Sequence, residues 1–122
     1  MNEVSVRHAV LNSLLFIRDP FTTEFPNVDG HGAVWSTKAC IAVSCLPDSE
    51  GETAISLRAT NENEKLGTLL ASRVLPTPSH ELIIETVLGE TLLRVGVPTI
   101  MTPVNVWTNG RRDTDRVTVS FG

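Results

Sequence analysis

Ala33-Val34-Trp35-Ser36-Thr37-Lys38-Ala39-Cys40-Ile41-Ala42-Val43-Ser44-Cys45-Leu46 alternates heavy and light side chains with a period of two. Successive side chains of a strand point to opposite faces, so Trp35, Thr37, Ala39, Ile41, Val43 and Cys45 share one face. Val34, Ser36, Lys38, Cys40, Ala42 and Ser44 share the other, which is small or polar. The pattern predicts a half-buried central strand whose Trp35, Ile41 and Val43 meet a core between two layers of extended chain.

Upstream, Val4, Val6, His8 and Val10 alternate, Asn12-Ser13 interrupts, and Leu14 to Ile17 resume before Asp19-Pro20. A helix over 7–17 competes, but β-branched residues and the proline stop predict two strands or one bulged strand. Pro20 to Gly32 reads as a long ordered loop, dense in turn residues and pinned by Phe21 and Phe25. Downstream, Pro47 to Glu52 is a compact turn, and Thr53 to Thr60 alternates Ile55, Leu57 and Ala59 against Ala54, Ser56 and Arg58. That pattern predicts a hairpin with the central strand.

Asn61 to Lys65 is a polar connection with room for a turn of helix, and Leu69 to Leu75 reads as a strand in preference to a helix on Leu66, Leu69 and Leu70. Pro76 and Pro78 end it. Leu82 to Val87, a turn at Leu88-Gly89-Glu90, and Thr91 to Val97 follow. Pro98 and Pro103 place the next segment at a sheet edge or rim, since proline removes a ladder donor. Val104 to Trp107 and Arg116 to Phe121 flank Asn109-Gly110, a type I′ turn signal with enough following residues for a longer connection. Seven to nine short strands with little helix predict an all-β fold, a two-sheet antiparallel sandwich or jelly roll, with a flattened barrel as the rival. Pro98, Pro103 and the charges of Arg111 to Arg116 are the expected edge guards.

The chain has 122 residues, enough for one domain that buries roughly two-thirds of its unfolded surface. With 41% apolar and 20% charged residues it is globular in composition. The net charge is −4, and no basic cluster exceeds Arg111-Arg112, so the footprint of a nucleic-acid binder is missing. Leu14 to Ile17 is the one N-terminal apolar run, far short of the ~20 residues of a span, so a cytosolic protein without membrane contact is expected. Cys40 and Cys45 fall on opposite faces roughly 16 Å apart in a single strand, beyond disulfide reach.

Candidate chemistry is sparse. His31, flanked by glycines in Asp29-Gly30-His31-Gly32, has the setting of a metal-binding or catalytic imidazole, but His8 and His80 stand at no ligand spacing to it. A turn residue is the simpler reading. Cys40 or Cys45 as a nucleophile conflicts with a buried strand, which raises a thiol pKa. Asp113 and Asp115 resemble a cation pair, yet Arg111, Arg112 and Arg116 compete for them, so a self-paired solvated loop is expected. Glu50, Glu52, Glu62 and Glu64 are acidic loop tips without the cleft that glycoside chemistry needs. No nucleophile elbow, phosphate loop or dinucleotide fingerprint occurs.

One resemblance covers about half the chain. Val74-Leu75-x-x-Pro78-Ser79-x-x-Leu82, Val95-x-Val97-Pro98, Val104-x-Val106-x-x-x-Gly110-Arg111-x-Asp113 and Val117-x-Val119-x-Phe121 resemble a group of small uncharacterised bacterial β-sandwich proteins and, more remotely, the competence-J family of nuclease inhibitors. Where that pattern carries Pro-x-Gly-Tyr, this chain reads Pro98 to Pro103. The resemblance implies a sandwich fold and a protein-binding role, and it transfers no catalytic residue. The expectation is therefore a non-enzymatic binding module, an inhibitor or immunity-type partner of another protein or a homodimer, without cofactor or metal. Asp29, His31, Arg111, Arg112, Asp113 and Asp115 are its candidate partner-binding residues. The alternative is a small jelly-roll metal- or ligand-binding protein or enzyme using His31.

Overall fold

A computed structural model describes residues 3–61 and 64–122. The strands are β1 (Glu3–His8), β2 (Leu14–Arg18), β3 (Val34–Ser36), β4 (Cys40–Ser44), β5 (Thr53–Ala59), β6 (Thr68–Pro76), β7 (Glu81–Thr86), β8 (Thr91–Gly96), β9 (Met101–Thr108) and β10 (Arg116–Phe121). One sheet runs β1-β5-β10-β9-β6 and the other β3-β4-β2-β7-β8, and every pairing is antiparallel except β5 with β10. The all-β sandwich is as the alternation predicts. Ten strands among the described residues exceed the seven to nine expected because the Ala33–Leu46 stretch folds back on itself.

That stretch is a hairpin. Thr37 Oγ1 accepts from the Ala39 and Cys40 amides at 3.1 Å each, and Thr37 N donates to Cys40 O at 2.9 Å. Thr37 and Cys40 face each other around the two-residue tip Lys38-Ala39, and this even-numbered turn changes the parity of the alternation, so Ser36 faces Ile41, Trp35 faces Ala42 and Val34 faces Val43. Ile41, Val43 and Cys45 do lie in the core, with Val34 packed against them. Trp35 does not. It belongs to the outer face, half-buried under loops.

The core is aliphatic and comes from both sheets: Leu15, Ile17, Ile41 and Ile84 on one side meet Ile55, Leu57, Val106 and Val119 on the other. Burying each such side chain contributes about 1.5–3 kcal/mol. Thr53 to Thr60 does not pair with β4 as a hairpin. After a single 3-10 turn at Asp48–Glu50 the chain crosses to the opposite sheet, where β5 sits between β1 and β10.

The Pro20–Gly32 connection runs across the outer face of the second sheet. Phe25 packs edge-on against Phe16, with centroids 5.2 Å apart, and covers the Arg18 guanidinium at 5.0 Å. Phe21 does not pin the loop: it is 77% exposed. Beneath, Arg18 forms a two-pronged pair with Glu85, 2.5 and 3.0 Å, and donates to the Asp19, Pro20 and Thr22 carbonyls. The buried Asp19 carboxylate accepts from Phe21 N, Ser79 N and Ser79 Oγ. Backbone groups that water would otherwise satisfy are thus paired by side chains.

The edges are β1, β6, β3 and β8, so the guards expected at Pro98, Pro103 and Arg111 to Arg116 are not the ones used. Pro103 lies within β9, between β10 and β6. Its carbonyl accepts from Gly122 N at 3.0 Å, so its ring nitrogen points past the end of β10, where no ladder bond is lost. At β6, Arg73 turns inward and donates to Ser36 Oγ at 3.3 Å, bridging the two sheets along one side. On the other side, His8 of β1 meets Glu90 at 3.5 Å. Gly67 before β6 is obligatory: a Cβ there would stand 2.4 Å from the Thr108 carbonyl oxygen. No helix among the described residues is long and apolar enough to cross a membrane.

Candidate functional site

The connections β1–β2, β2–β3, β4–β5 and β9–β10 all converge on one end of the sandwich. Their anchors come from the strands beneath. Leu11–Ser13 forms a single 3-10 turn, with Asn12 and Ser13 both left-handed at φ 58° and 55°. Cys45 N fixes it by donating to Ser13 O at 2.9 Å. A serine in that conformation is strained by about 1 kcal/mol or more, and such strain tends to collect where a surface is put to use.

In the second connection, Asp29 organises its own turn. Its Oδ1 accepts from His31 N at 2.9 Å and from Trp35 Nε1 at 3.1 Å. The His31 amide, then the Trp35 indole, hold the Asp29 carboxyl below the usual carboxylate range, with the Arg112 charge adding to them. In the fourth connection, Asn109 Oδ1 accepts from Arg111 N and Thr108 Oγ1 from Gly110 N, both at 2.9 Å, while Gly110 takes the positive φ of 86°. Buried Thr114 caps both ends of the loop: its hydroxyl donates to Arg116 O at 2.8 Å and accepts from Asn109 N at 3.3 Å.

The two loops are joined. Ser44 Oγ donates to Arg112 O at 2.7 Å and lies 3.3 Å from Ala33 O, and the Arg112 guanidinium donates to Gly30 O. The same guanidinium stands 6.0 Å from the Trp35 ring centroid, at the outer limit of a cation–π contact. Between them opens a cleft of about 460 Å³, with Leu14, Val28, Trp35 and Pro47 as apolar walls, Asn12 and Ser13 on one side and Arg112 and Asp113 on the other.

The six residues proposed from the sequence are therefore partly assembled. Asp29 and Arg112 meet at Trp35, Asp113 lines the cleft, and Arg111 pairs with Asp113 at 3.3 Å, the self-pairing expected of that loop. Asp115 contributes its backbone carbonyl, which accepts from Ala54 N at 2.8 Å. His31 is exposed beside the cleft but is not among its walls, and no group of three His, Cys, Asp or Glu side chains that could hold a metal occurs among the described residues. Trp35, Ser44, Pro47 and the Asn12-Ser13 turn were missed. Thr37 was the available signal, because a hydroxyl residue between polar neighbours is a turn former inside an otherwise apolar run.

The thiols offer no nucleophile. Burial pushes Cys40 up to about 12 and Cys45 to about 11. A second hollow of about 320 Å³ lies on the outer face of the first sheet, bounded by Glu3, Arg58, Lys65 and Arg116. Arg58 is already held there by Glu64 at 2.6 Å. Of the expected acidic tips, Glu62 lies outside the described residues, and Glu64 serves this internal pair.

No family model and no curated protein matches the chain. Among solved structures, ComJ from Bacillus subtilis, an inhibitor of the DNA-degrading activity of NucA, superposes with a TM-score of 0.62 over 99% of this chain and 94% of its own, at 9% identity. The chain adopts a ComJ-like fold. A protein described as crocagin biosynthetic gene J superposes with a TM-score of 0.50 over 97% of this chain and 94% of its own, at 12% identity. Both likenesses extend over essentially the whole sandwich, beyond the half of the chain whose motifs carry the sequence resemblance.

Proposed function

We propose that the chain is a non-enzymatic protein-binding module that holds, and inhibits, a protein partner at the loop end of the sandwich. The observation that carries this reading is the fixed apposition of Trp35, on β3 of one sheet, and Arg112, in the β9–β10 loop of the other, at the mouth of a cleft with apolar walls. Trp and Arg are the side chains most often responsible for binding energy at interfaces, and pre-formed loops lose little entropy on docking. The ComJ-like fold supports the inhibitory half of the reading, since ComJ is itself an inhibitor of a DNA-degrading activity.

The rim of the cleft carries both signs, Asp29 and Asp113 beside Arg111 and Arg112, so it selects a partner surface of mixed charge. A phosphate backbone fits poorly, because the net charge is −4. Two free buried thiols agree with a cytosolic setting.

The experiment is a quantitative comparison of proteins retained from source extract by the wild-type chain and by a Trp35→Ala/Arg112→Ala variant, followed by assay of the retained protein's activity with each. The reading expects one partner that the variant loses, and an activity that only the wild-type chain suppresses. Equal retention by both chains contradicts it.

A further inference from the structure

Of the four sheet edges, three are blunted. β3 has only three residues, and β6 and β8 each carry an extra residue, Leu70 and Leu92, at a shift in register with their neighbours. β6 adds the inward Arg73 and the terminal Pro76. Short length, bulges, inward charge and proline are the devices by which edges avoid further pairing. β1 is neither short nor bulged and carries no proline, and its one inward polar group is His8 at the last position, held against Glu90. Its six residues pair with β5 in unbroken register from Glu3 to His8, and no strand among the described residues pairs with its other side.

The residues on that edge are self-complementary. Glu3, Ser5 and Arg7 share the outer face, and Val4 and Val6 the inner, where Val6 packs against the core and Val4 is 40% exposed. In an antiparallel pairing of β1 with itself, centred on Ser5, Glu3 of each copy faces Arg7 of the other. Each Val4 faces a Val6, and Ser5 faces Ser5. Opposite charges directly across a strand pair stabilise it by about 0.2–1 kcal/mol each, and like charges do the reverse. Within one chain the same groups are only loosely held, Arg7 to Glu52 at 3.6 Å and Glu3 to Arg58 at 4.0 Å.

We propose that β1 is a twofold interface, at which a second copy of this chain adds its own β1 antiparallel in the register centred on Ser5. The two five-stranded sheets then become one sheet across the axis. A twofold contact uses the same patch on both copies, which is why the sign pattern of a single strand is sufficient. Because the strands run in opposite directions, the two loop ends face away from each other. The interface is independent of what the loop end binds.

Disulfide trapping tests the register. Facing Cα atoms in such a pair are within disulfide range, and the native Cys40 and Cys45 are buried and stay silent. Under mild oxidation Ser5→Cys is expected to give a covalent species of twice the 13.3 kDa chain, faster than Arg7→Cys by about an order of magnitude or more. Both positions are exposed, so random collision cross-links them equally. Mixing Glu3→Cys with Arg7→Cys is expected to give a covalent dimer that neither gives alone. As a second readout, wild-type protein is expected to show a concentration-dependent rise in sedimentation mass that Ser5→Lys abolishes, by placing like charges on the axis. A wild-type mass that stays monomeric across the micromolar range, equal trapping at positions 5 and 7, or an unaltered dimer in Ser5→Lys overturns the proposal.

Discussion

At the residue scale, the loop end depends on Asp29, whose carboxylate holds the His31 amide and the Trp35 indole together. Because the Asp29 pKa is lowered on folding, its contribution is complete above the unfolded carboxylate value and is lost as pH falls through the lower folded one. Trp35 fluorescence is therefore expected to hold steady through the usual carboxylate range and to change only at more acid pH. Asp29→Ala is expected to show the altered emission already at neutral pH, with little change in melting temperature because the site is exposed. A wild-type transition at the ordinary aspartate value contradicts this. The thiols act in the opposite sense. Their folded values of about 12 and about 11 lie above the ordinary 9.0, so stability is intact below pH 9.0 and falls as pH rises through the two folded values. A thiol reagent is expected to leave native Cys40 and Cys45 unmodified and to modify both after unfolding, and rapid native reaction is the contrary result. The position of Trp35 was beyond the reach of its own sequence pattern. Alternation assigns faces only within one strand, and the turn at Thr37 to Cys40 shifts the parity so that Ile41 and Val43 are inside while Trp35 is outside.

At the scale of elements, the Pro20–Gly32 loop is held by Arg18, Glu85 and Phe25, whereas Phe21 faces water. Phe25→Ala is expected to loosen the loop, seen as faster amide exchange over residues 20–32, and Phe21→Ala to leave exchange unchanged. The Arg18–Glu85 pair is buried on both sides, so Glu85→Ala strands a guanidinium and is expected to cost about 3 kcal/mol in urea unfolding. Asp113→Ala, which removes an exposed partner of Arg111, is expected to cost under about 1 kcal/mol. Equal shifts for the two variants contradict the burial assigned to the pair. Much of this level was legible. The break at Asn12-Ser13, the strand in 69–75, and the strands flanking Leu88-Gly89-Glu90 follow from local turn chemistry and period. Partners across the sandwich were not, because Glu85 meets Arg18 from 67 positions away and nothing local to either residue announces the other.

At the scale of the molecule, two sheets enclosing an aliphatic core were readable from alternation, while strand order was not. β5 leaves the neighbourhood of β4 to run parallel with β10, a pairing set by long-range packing rather than by any signal near Thr53. Of the candidate site, charged loop residues were visible as such, but the cleft was not, since its walls come from Asn12 to Leu14, Val28, Trp35, the Ser44, Cys45 and Pro47 segment, and Arg112 with Asp113, five separated stretches with no common pattern. The mixed charge at its rim makes salt dependence informative: association is expected to weaken with ionic strength, mainly through the on-rate, and Arg112→Ala to reduce that dependence. The most direct measurement is titration calorimetry of the retained partner against wild-type chain, Trp35→Ala and, as a control far from the loop end, Val74→Ala. Loss of about 2 kcal/mol or more of binding free energy in Trp35→Ala, with Val74→Ala unchanged, is the predicted result. Wild-type affinity in Trp35→Ala, or a loss confined to Val74→Ala, places the binding surface elsewhere and contradicts a loop-end site.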